Sequence, residues 1–177
     1  YGWMWKRAPS FCDVVAYSGN SVSGRAVSHS VLGVAPEMIW VKNRGNTNYW
    51  NVWHSALSAT QSLKLNETGA VINSSWFTSV PTDQYFYPNS YQGINASGNN
   101  YIAYLFASLA GISKVGSVSH VQYTDTNVDC GFTSGARFVL LKRTNTTGDW
   151  WVFDTTRGIA AGDDKILFLN STAAEFP

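Results

Sequence analysis

Met38-Ile39-Trp40-Val41-Lys42 is matched in character one hundred positions later by Phe138-Val139-Leu140-Leu141-Lys142. At the same spacing Trp50-Asn51-Val52-Trp53-His54 is answered by Trp150-Trp151-Val152-Phe153-Asp154. Further on, Leu63-Lys64-Leu65-Asn66-Glu67-Thr68 matches Leu167-Phe168-Leu169-Asn170-Ser171-Thr172, with the offset stretched by four. In the other direction Trp3-Met4-Trp5, Phe11 and Val14 fall on Tyr104-Leu105-Phe106, Ile112 and Val115. A unit of about one hundred residues therefore reads as occurring nearly twice, and self-similarity at a fixed period governs the architecture before any local assignment.

The matched runs read as strands. In 38–42 and 138–142, apolar residues are closed by a lysine and followed by Asn, Thr and Gly turn residues at 43–48 and 144–148. In the next element, alternation puts Trp50, Val52 and His54 on one face and Asn51 and Trp53 on the other; the second copy puts Trp150 and Val152 on the first and Trp151 and Phe153 on the second. The first, third and fourth positions stay apolar, which assigns the Trp50/Trp150 face to the core and leaves 51/151 as the variable position. Further strands are expected at Asp13–Tyr17, Arg25–Ser28, Leu63–Asn66, Tyr101–Ala107, Lys114–Tyr123 and Ile166–Asn170, between clusters of Gly, Asn and Ser. No helix is expected. Residues 101–112 have the length of one, but their β-branched and aromatic content and Gly111 favour a strand. Short strands at spacings of about ten residues imply an all-β fold, a sandwich or barrel. The expected organisation is tandem β-sandwich-like units: 1–8 as the closing strand of a preceding unit, 9–109 as the first unit and 110–177 as a second, incomplete one. Residues 1–6 match the strand that the second copy lacks, so they are expected to pair onto it, within the chain or between chains.

The chain has 177 residues, 45% of them hydrophobic and only 13% charged, against a usual charged share of about 25%. That excludes disorder and a charged coiled coil. A net charge of +1 supplies no field for nucleic acid or an anionic membrane, and no apolar run approaches the roughly 18 residues of a membrane span. Cys12 and Cys130 share no metal-ligand spacing; two reduced core thiols are favoured over a single disulfide. The chain opens at Tyr1 without an initiator Met and stops at Glu175-Phe176-Pro177 in what reads as a turn, so it is taken as a piece of a longer polypeptide.

Eight tryptophans invite a carbohydrate-binding reading, since an exposed indole stacks on the apolar face of a sugar ring. Trp40, Trp50 and Trp150 are assigned to the core; Trp151, opposite Asn51, stands between core and surface. Residues 76–91 are the other aromatic candidate, either as a recognition loop or as a loop folding its own aromatics beneath it. The candidate glycan contacts are Trp151, Trp76, Tyr85, Tyr87 and Tyr91. No catalytic residue is assigned. Asp125 with Asp129 and Asp163 with Asp164 could serve as carboxylate pairs, but both sit in turns where Asp is favoured for backbone reasons. A triad from Ser28, His29 or His54 and a remote Asp has no supporting motif, and His120 stands apart. No cofactor is expected, and with no calcium-loop spacing no metal site is assigned. Lys42 and Lys142, with Arg44, Arg143 and Arg157, read as solvated strand ends rather than a basic binding edge. Five Asn-x-Ser/Thr triplets, from Asn66, Asn73, Asn95, Asn145 and Asn170, are what a chain this rich in Asn, Ser and Thr produces by chance.

Four stretches carry a resemblance: Phe11-Cys12-Asp13-Val14-Val15-Ala16-Tyr17-Ser18-Gly19; Leu32-Gly33-Val34-Ala35-Pro36-Glu37 running into 38–42; Trp50-x-Val52-Trp53; and Asn95-Ala96-Ser97-Gly98-x-x-Tyr101-Ile102-Ala103-Tyr104. Together they resemble a family of domains from tail and tail-fibre proteins of tailed bacteriophages, found at times beside laminin-G-like or concanavalin-like modules. The likeness spans essentially the whole chain. It implies an all-β fold, a virion structural or host-attachment role in the phage tail and other tail chains as partners, with a homotrimer by analogy and a host-surface glycan as a further contact. It supplies no catalytic residues. The second copy lacks the stretch matching 95–104. Two other readings stay open: a glycan-degrading tail depolymerase and a secreted lectin-like carbohydrate-binding domain.

Overall fold

The computed structural model describes residues 2–159 and 164–176, which contain strands and no helix. The fold is all-β. Six strands form one antiparallel sheet in the spatial order β1 (Cys12–Ser18), β8 (Asn100–Phe106), β3 (Met38–Asn43), β4 (Trp50–His54), β5 (Gln61–Lys64) and β6 (Ile72–Asn73). A two-stranded ribbon pairs β2 (Val27–Ser28) with β7 (Tyr85–Phe86). A third sheet holds β11 (Leu167–Phe168), β10 (Trp150–Asp154) and β9 (Phe138–Lys142) in that order.

Alternation along the central strands sends their side chains to two separate cores. On one face Ile39, Val41, Trp53, Tyr101, Ala103 and Leu105 meet Trp76, Phe77, Phe86 and Ile94 from the loops over the sheet. On the other, Trp40, Val52, Leu63 and Phe106 meet Trp150 and Leu140 of the third sheet. The first unit is thus covered on both sides, and the large sheet is apolar on both faces for that reason.

Polar groups of the sheet pin the covering loop. The Tyr101 hydroxyl donates to Gln92 O (2.8 Å) and accepts from Ala96 N–H (2.9 Å). Tyr17 donates to Ile94 O (2.6 Å), and Asn51 Nδ2 to Gly93 O (3.1 Å). Loop and sheet approach most closely at Gly19, where an added methyl would overlap the Ala96 carbonyl and lie 2.8 Å from Tyr101 Cε2. Gly19→Ala is accordingly expected to destabilise the fold by about 1–3 kcal/mol, read as a lowered urea midpoint at unchanged slope.

The hairpins β3–β4 and β9–β10 match contact for contact. Met38 pairs with His54 and Phe138 with Asp154; Trp40 pairs with Val52 and Leu140 with Val152. Asn66 Oδ1 accepts from Trp50 N–H (2.9 Å), as Asn170 Oδ1 does from Trp150 N–H (2.7 Å). Leu65 N–H and Leu169 N–H return the bond to the Trp50 and Trp150 carbonyls, each at 2.9 Å. His54 Nδ1 caps Ala56 N–H (3.0 Å) where Asp154 Oδ1 caps Thr156 N–H (3.0 Å).

Elsewhere the structure departs from the expectations. Residues 114–123 form no strand, and Val118, Val121 and Tyr123 are exposed; Val115, Val118, Val121 and Tyr123 fall three, three and two apart, so the stretch has no two-residue period to give it an apolar face. Residues 2–7 make no ladder with either sheet. Instead Trp3 and Trp5 lay their rings against Phe138 at 5.6 and 5.4 Å. Trp50 is only half-buried, whereas Trp150 is fully buried, because the third sheet covers the middle of the first and not its end. Position 51, read as the tolerant one, is buried as Asn51 and ties down the loop.

Candidate functional site: an open aromatic face on the third sheet

Strand alternation puts Val139, Leu141, Trp151, Phe153 and Phe168 on the outer face of the third sheet. Trp151 lies directly between Leu141 and Phe168 in the ladder. Its ring stacks with Phe153 (centroids 6.2 Å) and meets the edge of Phe168 (5.5 Å), and Phe176 extends the patch from Phe168. The matched residues of the first unit, Ile39, Val41 and Trp53, are 0%, 0% and 3% exposed; here Leu141 is 49% and Trp151 40% exposed. The first unit covers this face with the loop around Trp76, Phe77 and Ile94. Among the described residues nothing equivalent lies over the second, and β9 keeps one edge unpaired.

The charged groups of the inner face and of the turn after β9 are engaged within the chain. Asp154 is buried and accepts from Trp3 Nε1 (2.8 Å), from Arg157 N–H (2.9 Å) and from the Arg157 guanidinium. Burial alone would raise its pKa; these hydrogen bonds and the guanidinium outweigh that and hold the carboxyl below the usual 3.8. Lys142 sends its ammonium to the carbonyls of Gly148 (2.8 Å), Arg143 (2.9 Å) and Thr68 (3.2 Å), and Lys42 reaches Asn43 O and Asn46 O (2.7 and 2.6 Å). Burial lowers the pKa of both amines. These lysines, read as solvated strand ends, are in fact internal ties that close the turns after β3 and β9.

The other sequence candidates fall apart as sites. Trp76 is 3% exposed and stacked on Tyr91 with centroids at 6.1 Å, so it presents no face to a sugar and is corrected to a core residue. Phe77 and Phe86 are buried with it: the 76–91 loop folds its aromatics beneath itself, leaving Tyr85 exposed and Tyr87 half-buried. Asp125 and Asp129 lie on the exposed stretch before β9, where Asp129 Oδ1 accepts from Gly131 N–H (2.8 Å). Asp163 lies outside the described residues, so its pairing with Asp164 has no geometry. His29 is buried with Nε2 on Thr82 O (3.0 Å), and His120 pairs with Thr126 Oγ1 (2.8 Å). Among the described residues no group of three His, Cys, Asp or Glu could hold a metal ion. Cys12 and Cys130 are free thiols; Cys12 is in the core and Cys130 on the exposed stretch. Among the described residues no helix is long and apolar enough to cross a membrane.

Sequence reasoning missed the Trp3–Asp154–Arg157 cluster. Its signal was Asp154 standing where the first copy has His54, with Arg157 three residues on.

The family model described as a domain of unknown function, DUF7483, matches residues 7–176. No curated protein and no solved structure matches the chain.

Proposed function

We propose that this chain, which belongs to the DUF7483 family, is a non-enzymatic structural module of a bacteriophage tail or tail fibre. In this reading its two units are tandem copies of one β-sandwich-like repeat of about a hundred residues. The open face of the third sheet is its contact with the next module. Support for the repeat comes from the matched hairpins, whose ladders and asparagine bonds recur position by position, as does the tie of each lysine to the carbonyl of the next residue.

The observation that carries the assembly role is the exposure of Leu141 and Trp151 beside Phe153 and Phe168, on a face that the first unit keeps dry. Apolar patches of this kind mark interaction surfaces. Hydrocarbon surrounds Trp151 in the ladder, which suits a protein partner better than the glycan first considered for it. The partner is a β module of the same kind in a neighbouring tail chain, covering the face as residues 76–94 cover the first unit.

Two measurements test this reading. Purified virions should contain the chain by mass spectrometry, and a reconstruction should show β structure of a neighbouring chain against Trp151; absence from virions defeats it. The double variant Leu141→Ser with Trp151→Ser should leave the isolated chain folded, with a loss of about 1–2 kcal/mol as for half-exposed packed side chains, while abolishing incorporation into tails. Steady release of reducing ends from host-surface polysaccharide would replace this reading with the depolymerase one.

A further inference from the structure

On the opposite side of the third sheet from the open face, a cleft of about 730 Å³ separates that sheet from the outer face of the large one. That lies within the range of about 300–1,000 Å³ of small-ligand sites. Trp3 and Trp5 of the N-terminal segment line it together with Trp40, Trp50 and Tyr104, and Trp5 meets Trp40 edge-on at 6.3 Å. Trp50 and Tyr104 are half-buried, 6.1 Å apart and inclined by 33°, and together offer a broad aromatic shelf. Trp3 and Trp5 are 37% and 41% exposed.

The polar groups of this cleft are nearly all donors. Trp40 Nε1 is buried without a partner. The indole N–H groups of Trp5 and Trp50, and the Asn66 amide N–H groups, have no acceptor among the described residues either; Asn66 spends its oxygen on Trp50 N–H. Trp40 Nε1 is sealed from the cleft, so the donors within a ligand's reach are those of Trp5, Trp50 and Asn66, and open donors in an aromatic cleft suit a ligand that carries oxygens. Charge is absent from the walls except at Asp13, which is itself paired with Arg7 at 2.6 Å. A phosphate or carboxylate would find no cation to offset its desolvation here.

We infer that this cleft binds a neutral oligosaccharide, with pyranose rings stacked on the Trp50–Tyr104 shelf and hydroxyl oxygens accepting from the Trp5 and Trp50 indoles and from Asn66. Glycan recognition thereby moves to residues outside the 76–91 loop and away from Trp151. The site is independent of whether the outer face of the third sheet assembles with a neighbour.

The test uses the ¹⁵N-labelled full chain and a panel of neutral hexasaccharides: maltohexaose, cellohexaose, laminarihexaose, mannohexaose and chitohexaose. At least one should shift the indole N–H resonances of Trp5 and Trp50 saturably, leaving those of Trp76 and Trp151 in place. Trp5→Ala alters a segment that joins no ladder, so the fold survives it, and it should weaken that binding about tenfold, equivalent to about 1.4 kcal/mol. Trp50→Ala should weaken it at least as much, and Trp151→Ala should leave it unchanged. A silent panel overturns the inference. So does binding that survives both Trp5→Ala and Trp50→Ala, or binding that is lost in Trp151→Ala.

Discussion

Trp150→Ala is expected to destabilise the chain by about 4 kcal/mol, the middle of the range for removing a buried indole. Trp150 is 3% exposed and sits among Val52, Leu63 and Leu65 of the large sheet. Its Nε1 donates to Lys64 O at 2.9 Å. It is therefore the side chain through which the third sheet grips the first unit, supplemented by backbone bonds from Val71 N–H to Thr144 O (3.0 Å) and from Gly148 N–H to Thr68 O (2.9 Å). A three-stranded sheet with one short member has little stability of its own. The loss should consequently be local: amides of β9 and β10 lose hydrogen-exchange protection before those of β3 and β8, and the urea transition broadens or splits. Trp50→Ala, at the matched but half-buried position, should cost clearly less. If it costs as much, or if β9 and β10 stay protected in Trp150→Ala, the packing role given to Trp150 is wrong.

How much of this was legible in the sequence depends on which interactions are local. The hairpins were, because alternation and turn residues act within a few positions: Met38 to His54 and Phe138 to Asp154 fall as the pattern dictates. What covers each face was not legible, because it is decided by segments far away in the chain. Asn51 looked variable beside Trp151, yet each suits its surroundings: the amide holds Gly93 of the loop over the large sheet, and the indole lies on a face that no such loop covers among the described residues. Trp76 illustrates the same blindness, for nothing in a Pro-rich aromatic stretch says whether its rings turn outward or beneath it. The 114–123 stretch shows the converse error. Its valines and tyrosine suit a strand by residue type, but at 115, 118, 121 and 123 they share no single face, so no burial rewards an extended pairing there. The aromatic cleft was invisible for a related reason, since Trp5, Trp50 and Tyr104 converge only after both sheets and the N-terminal segment are in place.

Asp154→Ala is the second large effect, expected to cost about 3 kcal/mol or more. Removing one member of a buried ion pair costs about 3–5 kcal/mol, because the other charge is left behind. The Arg157 side chain is 3% exposed, and a further carboxylate, Glu175 Oε2, stands at 3.7 Å. The variant also frees Thr156 N–H and Arg157 N–H at the turn and releases Trp3 Nε1, which loosens the N-terminal segment from β10. The pH dependence separates charge from shape. A carboxyl held below its unfolded value of 3.8 stabilises the fold fully above that pH and loses its contribution as the pH falls through the folded-state value. The stability gap between the native chain and Asp154→Ala should therefore be constant from neutral pH down to roughly pH 5 and narrow below pH 4 or so. Asp154→Asn keeps an oxygen for the turn amides but no charge for Arg157, so it should be destabilised less and should lack the acid-dependent component carried by this carboxyl. If the gap between the native chain and Asp154→Ala instead held constant through pH 3, the ionised carboxylate would not be what fastens the N-terminal tryptophans to the third sheet, and the wall they lend to the aromatic cleft would need another anchor.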